Sequence, residues 1–422
     1  MLRHKLRLSF FAAACVTVFA VAFAQQKDQT MDRPAAWKAV DAATQQGLPK
    51  TAIKRLEPII EATLAEKAYA EAIKAISTKI ALEGTIEGNR PEEKITRMRK
   101  AIETSPNEMK PVMEAILANW FWHYFQQNRW QFLERTQTEA TPGDDFTTWS
   151  LPQILAEVDA QFDKAFAHAD ILKATSVDSY EILLDKPNSK EAVRPTMFDV
   201  IAHNALEFYA AGEQGANQIQ DAFELSAASP VFGSREEFLA WQPATTDNDA
   251  LLLRAVQLYQ ELIRFHLNDE NPSALLDADL LRIQFANEHA FGDEKSERYK
   301  AALKRFEQAH SKHVISTRAL HMLAAQLQAD GALVEAHKIA AEGVQRFPDS
   351  VGANRCHNLM MEIEAPSAFA STERIWNDPW PTIDVRYRNT TKIYFRLVRF
   401  DFDGFIRSNH WSPEHFDLNQ HQ

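Results

Sequence analysis

Residues 316–350 read STRALHMLAAQLQADGALVEAHKIAAEGVQRFPDS, and this stretch decides the fold class of the chain. Apolar residues recur at spacings of three and four over 317–329 and again over 333–347, which predicts two helices. Asp330-Gly331 predicts the turn between them, and Pro348 ends the second helix because proline cannot continue one. The stretch therefore predicts a helix–turn–helix unit.

This unit resembles a tetratricopeptide-type repeat, since alanines stand where the two helices must approach each other closely. The unit at 316–350 is the one well-formed repeat, and residues 37–61 and 67–82 are candidates for degenerate versions. An α-solenoid needs about three repeats to bury a continuous face. We therefore predict a mainly α fold whose body is an irregular, tetratricopeptide-like α-solenoid.

The helical period extends outward from this unit over roughly residues 34–364. Ser105-Pro106 predicts a helix start, and three further starts have the spacing of a capping box: Ser150 with Gln153, Thr196 with Asp199, and Ser234 with Glu237. Two stretches interrupt the pattern, residues 140–148 and residues 176–195, the latter with an extended-looking piece at 180–184. We predict an N-terminal helical region at 25–175 and a second one at 176–364.

The period changes near the C-terminus. Residues 365–382 contain three prolines and predict a linker. Ile383, Val385 and Tyr387 then alternate with charged residues, and residues 393–398 alternate again after a turn at 389–391, which predicts a β-hairpin. A lone hairpin is marginal in water. We expect residues 383–422 either to dock on the helices or to begin a β-domain that is truncated here.

The N-terminus has the layout of a secretory signal peptide at 1–24. Arg3, Lys5 and Arg7 precede an apolar run at 8–23, and a small-x-small cleavage site ends at Ala24. We expect export to the periplasm or beyond, with an uncleaved membrane anchor as the alternative. Cleavage removes Cys15 and leaves Cys356, so we expect no internal disulfide.

The composition is that of a soluble, acidic protein. Hydrophobic residues make up 45%, and 58 acidic residues outnumber 46 basic ones. Nucleic acid is therefore an unfavourable partner, because phosphate binding needs a basic surface. We expect a protein partner instead, and no membrane span once the signal peptide is removed.

Three groups of residues are candidates for a functional site, and each group also has a structural explanation. His310, His313 and His321 suit a helix end better than a metal site. The aromatic residues at 120–132 recur in doubled positions four apart, which predicts a buried helix face rather than a binding platform. Glu236-Glu237 and Asp247-Asn248-Asp249 suit helix starts. We predict no catalytic, metal-binding or cofactor-binding residue, no cofactor and no enzymatic activity, and the sequence identifies no binding residues.

Three stretches carry a family resemblance: WKAVD at 37–41 followed by GLPKTA at 47–52, RPTMFDVIAHNALEFY at 194–209, and PTIDVRYRNTTKIYFR at 381–396. In this order they resemble the front part of large exported bacterial proteins of the alpha-2-macroglobulin family. The resemblance spans roughly residues 36–405. It implies a helical region followed by the first strands of a macroglobulin-like β-domain.

The family resemblance implies endopeptidase inhibition, in which a bait segment is cleaved and, in many members, a thioester bonds to the protease. A thioester needs a cysteine followed closely by Glu-Gln, whereas His357-Asn358-Leu359 follow Cys356. A bait segment is not recognisable either. We therefore expect a truncated, non-inhibitory piece of such an inhibitor. The alternative is a stand-alone periplasmic scaffold that binds a protein or peptide on its helices.

Overall fold

The structure, a computed structural model, describes residues 31–88, 91–134, 143, 145–184, 193–212, 222–372, 382–395, 401, 403–404 and 407. The predicted signal peptide at 1–24 lies outside these residues. Two compact units divide the chain, Met1–Ala319 and Leu320–Gln422. The predicted limits at 175/176 and 364/365 stay predictions.

The described residues are mainly helical, as the sequence predicts. The α-helices are α1 Arg33–Gln45, α2 Pro49–Ala65, α3 Tyr69–Ile86, α4 Pro91–Thr104, α5 Lys110–Gln127, α6 Arg129–Leu133, α7 Leu151–Phe166, α8 Ala169–Ala174, α9 Met197–Tyr209, α10 Arg235–Ala240, α11 Leu251–Phe265, α12 Ser273–His289, α13 Lys295–Ala309, α14 Ser316–Ala329, α15 Leu333–Arg346 and α16 Val351–Glu364. Two strands follow, β1 Ser367–Thr372 and β2 Ile383–Arg388. Short 3-10 helices lie at Phe146–Thr148, Val177–Leu183 and Pro230–Phe232.

The three predicted capping boxes are present. Ser150, Thr196 and Ser234 are the N-cap residues of α7, α9 and α10. Each pairs reciprocally with the residue three positions on, which satisfies amide groups that a helix start leaves without partners. The predicted start at Ser105-Pro106 is wrong. The Ser105 hydroxyl donates to the Ala101 carbonyl at the end of α4, and α5 begins only at Lys110.

In the first unit, helices that follow each other along the chain also pack on each other. This holds for α1 to α5 in turn, for α5 with α7, and for α11 to α13 in turn. Val40, Leu56 and Ile59 centre the cluster that joins α1, α2 and α3. The apolar face of each helix is thus covered by its neighbours, which is what the helical period demands.

The two ends of the predicted break at 176–195 meet, and residues 185–192 between them lie outside the described residues. The Val177 amide donates to the Pro195 carbonyl at 3.0 Å, and the Met197 amide donates to the Thr175 carbonyl at 2.9 Å. The extended piece predicted at 180–184 is wrong, because Val177–Leu183 forms a 3-10 helix. Burial of the Tyr180 side chain against the first unit overrides the strand-like alternation.

The second unit contains most of the predicted helix–turn–helix. The helices α14 and α15 match the predicted spans within a residue, and Gly331 adopts a φ of +82° in the turn between them. Gly343 lets α15 approach α16 closely, because a Cβ atom added there would lie 2.6 Å from the Sγ of Cys356. The helices and the turn are as predicted.

A two-stranded antiparallel sheet follows α16, close to the predicted hairpin but with a different partner strand. β2 coincides with the first predicted strand. Its partner is β1, which lies in the stretch predicted as a linker, and not residues 393–398. Residues 391–395 are described and form no strand, while 396–398 lie outside the described residues. The sequence SAFAST in β1 alternates only weakly, which explains why the periodicity missed it.

Candidate functional site

The two-stranded sheet presents several large apolar side chains to solvent. Its register pairs Ala368 with Tyr387, Ala370 with Val385 and Thr372 with Ile383, so these six side chains share one face. The opposite face carries Phe369 across from Arg386, flanked by Asp384 and Arg388. One face is therefore apolar, and the other mixes one phenyl ring with charges.

Both faces of this sheet are open to solvent. Phe369 is 66% exposed and Tyr387 is 67% exposed, and they lie on opposite faces. Ile383, Tyr394 and Phe395 are also exposed. Ile383 and Tyr387 share one face, and large apolar side chains grouped on one face mark an interaction surface more often than single exposed ones do.

The edge of β1 has none of the usual protection against strand pairing. Natural sheet edges carry charges, prolines or bulges that prevent another strand from adding. β1 reads SAFAST, without charge or proline. β2, in contrast, carries Asp384, Arg386 and Arg388. Within the described residues, β1 itself thus carries neither of the residue types that usually prevent another strand from pairing with an edge.

The sheet is fixed at one end to the last turn of α16. Arg388 donates through Nη2 to the Glu362 carbonyl at 2.8 Å, and Asn389 donates through Nδ2 to the Ile363 carbonyl at 2.7 Å. The last carbonyls of a helix have no partner within the helix. These two side chains supply partners, so the end of β2 caps α16.

A second group of polar residues is buried in the first unit, around His266 at the end of α11. The His266 side chain is 1% exposed. Its Nε2 lies 2.6 Å from Oδ1 of Asp199, and its Nδ1 lies 2.6 Å from Oδ2 of Asp269. Burial lowers the pKa of His266, but the hydrogen bonds and charges of Asp199 and Asp269 outweigh it and raise the pKa above its usual value.

Three arginines surround the turn that precedes α10. Arg282 is buried, bonds the carboxylate of Asp279 and donates to the Val231 carbonyl at 2.6 Å. Arg305 donates to the Phe232 carbonyl at 2.5 Å, and Arg235 bonds Asp279 at 3.3 Å. Since every one of these contacts fixes main chain or a carboxylate of the same unit, the cluster holds the 230–233 turn in place.

The three predicted histidines do not form one site. His310 is the C-cap of α13, as the helix-end interpretation predicts, and its Nε2 lies 3.2 Å from Arg235. His313 lies 3.4 Å from the hydroxyl of Ser273. The helix-end prediction is wrong for His321, which lies inside α14, where burial lowers its pKa.

The aromatic stretch is a buried helix face, as predicted. Phe121, Trp122, Tyr124 and Phe125 are buried, and Phe121 stacks on Trp149 with a centroid distance of 6.1 Å. Trp130 is the exception at 61% exposed. The stretch therefore stabilises the first unit through ring packing.

The acidic pairs have separate roles. Glu237 completes the α10 capping box, and hydrogen bonds from Ser234 lower its pKa. Asp247 does not cap α11; its carboxylate accepts from the Phe223 amide at 3.1 Å. That bond joins two loop segments, which the sequence spacing could not indicate.

Among the described residues, no three His, Cys, Asp or Glu side chains converge in a way that could hold a metal ion. The same part of the chain has no helix with the length and apolar character needed to cross a membrane. Comparisons with protein families, curated proteins and solved structures gave no match for this chain.

Buried ionic residues on α12 form a cluster that the apolar spacing does not predict. Asp277, Asp279 and Arg282 interrupt the apolar run of α12, and all three are buried. Charged residues inside such a run signal buried ion pairs, because they must be paired to be tolerated. The position of their partners, in contrast, depends on the tertiary fold.

Proposed function

We propose that this chain is an exported, non-enzymatic protein equivalent to the front part of a bacterial alpha-2-macroglobulin-like endopeptidase inhibitor. Its helices, with a tetratricopeptide-like unit at 316–350 in an irregular solenoid, carry the first strands of a macroglobulin-like β-domain. The partner of the sheet is further β-strands. The resemblance described above and the open sheet support this proposal together.

The observation that carries the proposal is the two-stranded sheet directly after α16. Only one residue, Pro366, separates the sheet from the C-cap of α16, Ala365. Phe369 and Tyr387 project from opposite faces into solvent. A sheet of two strands is marginal by itself and gains stability when strands or a second layer cover it. A macroglobulin-like β-domain would supply both.

The proposal assigns no inhibition to this chain by itself. The thioester pattern is absent after Cys356. The cysteine is also buried, and this burial raises the pKa of its thiol to about 12. A thiol in that state is a poor nucleophile. The inhibitory chemistry of the family would therefore have to reside elsewhere.

A shortened chain, residues 25–365, tests the proposal against the mature chain, residues 25–422. If the sheet belongs to a β-domain, the helices fold without it. The melting temperature should then change by less than about 4 °C, the effect of losing roughly 1 kcal/mol of capping. A larger fall would contradict the proposal.

A protease assay provides the second arm of this test. Trypsin is mixed with excess mature chain, and cleavage of casein and of a small peptide substrate is followed. We expect both rates to stay unchanged, since the chain has no recognisable bait segment or thioester. Slower casein cleavage with unchanged peptide cleavage would show that the chain inhibits alone.

A stand-alone scaffold is the second candidate function. The bonds from Arg388 and Asn389 to the end of α16 favour it, because they join sheet and helices within one unit. In that case the sheet is a structural part of the second unit, and a protein or peptide would bind the helices. Loss of helix stability in the shortened chain is the outcome that would replace our proposal with this one.

A further inference from the structure

The two contacts of His266 require both of its ring nitrogens to carry a proton. A neutral imidazole has one N–H, so its other nitrogen would direct a lone pair at a carboxylate oxygen 2.6 Å away. An imidazolium donates from both nitrogens. The geometry therefore describes a buried, positively charged ring between two carboxylates, independently of the proposed function.

The two carboxylates differ in their freedom to move. Asp199 is buried at the start of α9, where its Oδ2 also accepts from the amide of Thr196 at 2.9 Å and from its hydroxyl at 2.7 Å. The side chain of Asp269 is 36% exposed and lies in the loop between α11 and α12. Asp269 can exchange its ring contact for water, whereas Asp199 cannot.

We propose that His266 is a proton-operated latch that ties the loop at 266–272 to the first turn of α9. Loss of the proton on Nδ1 to a solvent base breaks the bond to Asp269 and leaves the Nε2–H bond to Asp199 in place. The loop then loses its side-chain bond at Asp269 and is held there only by the weaker bond from the Asp269 amide to the His266 carbonyl, 3.3 Å long. The exposed side chain of Leu267 belongs to this loop, so release changes a surface as well as the interior.

Two other titratable residues near His266, His203 and Lys173, do not take part in the bonds to its ring. His203, on α9 with Asp199, stays neutral, since burial and then the charge of Arg194 lower its pKa to about 3. Lys173 on α8 lies over the rings of Phe198 and Phe265 at 4.4 and 5.4 Å. It also pairs with Glu261 at 2.8 Å. Asp199 and Asp269 remain the groups that bond the ring of His266.

The latch connects three elements. His266 is the C-cap of α11, Asp199 belongs to the capping box of α9, and Asp269 precedes α12. The same first turn of α9 joins the base of the 176–195 loop through the bridge between Ser176 and Thr196. The protonation state of the His266 ring therefore affects the contacts at the point where these three elements of the first unit meet.

Nitrogen NMR of the histidine rings and amide hydrogen exchange test the latch on the mature chain between pH 5.5 and 9. We expect both nitrogens of His266 to be protonated at pH 6, with a midpoint above 6.5. Above the midpoint, the protection factors of amides in 267–271 should fall several-fold while those of α11 stay constant. The latch is refuted if loop protection does not change through the midpoint, or if the ring is already neutral at pH 6.

Two variants remove the same charge from the same loop. In Asp269→Asn, the midpoint should fall and loop protection should be low at every pH. In Glu270→Gln, whose parent residue is also exposed, both readouts should match the unmodified chain. Equal effects of the two variants would overturn the proposal, since they would show a general charge effect of the loop. Asp269 is partly exposed, so its variant is expected to fold.

Discussion

Asn389 donates its side-chain amide to the main-chain carbonyl of Ile363, 2.7 Å away, and so joins the end of β2 to the last turn of α16. Asn389 adopts a φ of +54°, a left-handed conformation that asparagine tolerates better than most residues. The bond supplies a partner for a carbonyl that the helix leaves unpaired. Together with the bond from Arg388 to the Glu362 carbonyl, it forms the joint that fixes the sheet to α16.

Replacing Asn389 tests this joint. Asn389→Gly keeps the backbone conformation and loses the hydrogen bond, so amides at the end of α16 and in β2 should lose protection equivalent to about 1 kcal/mol. Asn389→Ala should cost more, because alanine is strained at positive φ. Hydrogen exchange read by mass spectrometry measures both. The exposed Thr391→Ala is the control, and an effect of equal size there would argue against the joint.

Substitutions at Gly343 and Cys356 test whether α15 and α16 approach each other closely. Gly343→Ala places a Cβ atom 2.6 Å from the Sγ of Cys356, so we expect a loss of about 1–3 kcal/mol in urea unfolding. Cys356→Ala removes the clashing atom. The double variant should therefore be more stable than the sum of the single losses predicts. Simple additivity would show that the two residues do not share this space.

A substitution at Arg282 tests how much its buried ion pair with Asp279 contributes to stability. Arg282→Lys keeps the charge but loses the planar fork that reaches both Asp279 and the Val231 carbonyl, so unfolding free energy should fall by about 3 kcal/mol. Arg298→Lys is the control, because its pair with Glu294 is exposed, and exposed pairs contribute about 0–1 kcal/mol. A cost below about 1 kcal/mol for Arg282→Lys would contradict the structural role of the pair.

Because His266 changes its charge with pH, it makes the free energy of unfolding depend on pH. Its folded pKa lies above the unfolded value of 6.5, so its contribution is complete below pH 6.5 and is lost as pH rises through the folded pKa. Urea unfolding between pH 6 and 9 should show this decline. His266→Leu should remove the dependence and cost about 3–5 kcal/mol at pH 6, because Asp199 stays buried without its cation.

His337→Leu is the matched control for that measurement. His337 lies 2.5 Å from Glu364 in an exposed pair, so its loss should change stability by about 1 kcal/mol or less. If His266→Leu and His337→Leu lower the free energy of unfolding by the same amount, burial does not determine how much the His266 pair contributes to stability.

The sequence predicted the parts of this structure that depend on local periodicity and capping. The spans of α14 and α15 follow from apolar spacing, and the start of α9 follows from Thr196 and Asp199. Local bonds within three or four residues carry these features, so they are visible in the sequence alone.

The features that the sequence missed depend on residues far apart in the chain. Asp199 and His266 are 67 positions apart, and no spacing rule relates them. β1 was placed in a linker because Ser367–Thr372 contains small residues with little alternation. Its partner, β2, is fixed to the end of α16 by Arg388 and Asn389, and this tertiary context overrides weak β-propensity.

Limited proteolysis of the mature chain, with fragments identified by mass, tests most directly whether the sheet belongs to a β-domain rather than to the helical body. Cleavage follows local opening, and β1 and β2 have exposed faces and are held to the last turn of α16 by two side chains, Arg388 and Asn389. We predict that the chain is cut first after residue 365 and that a stable helical core remains. If the sheet resists the protease as long as the helices do, the sheet is part of the helical body, and the scaffold function should replace the inhibitor-fragment function.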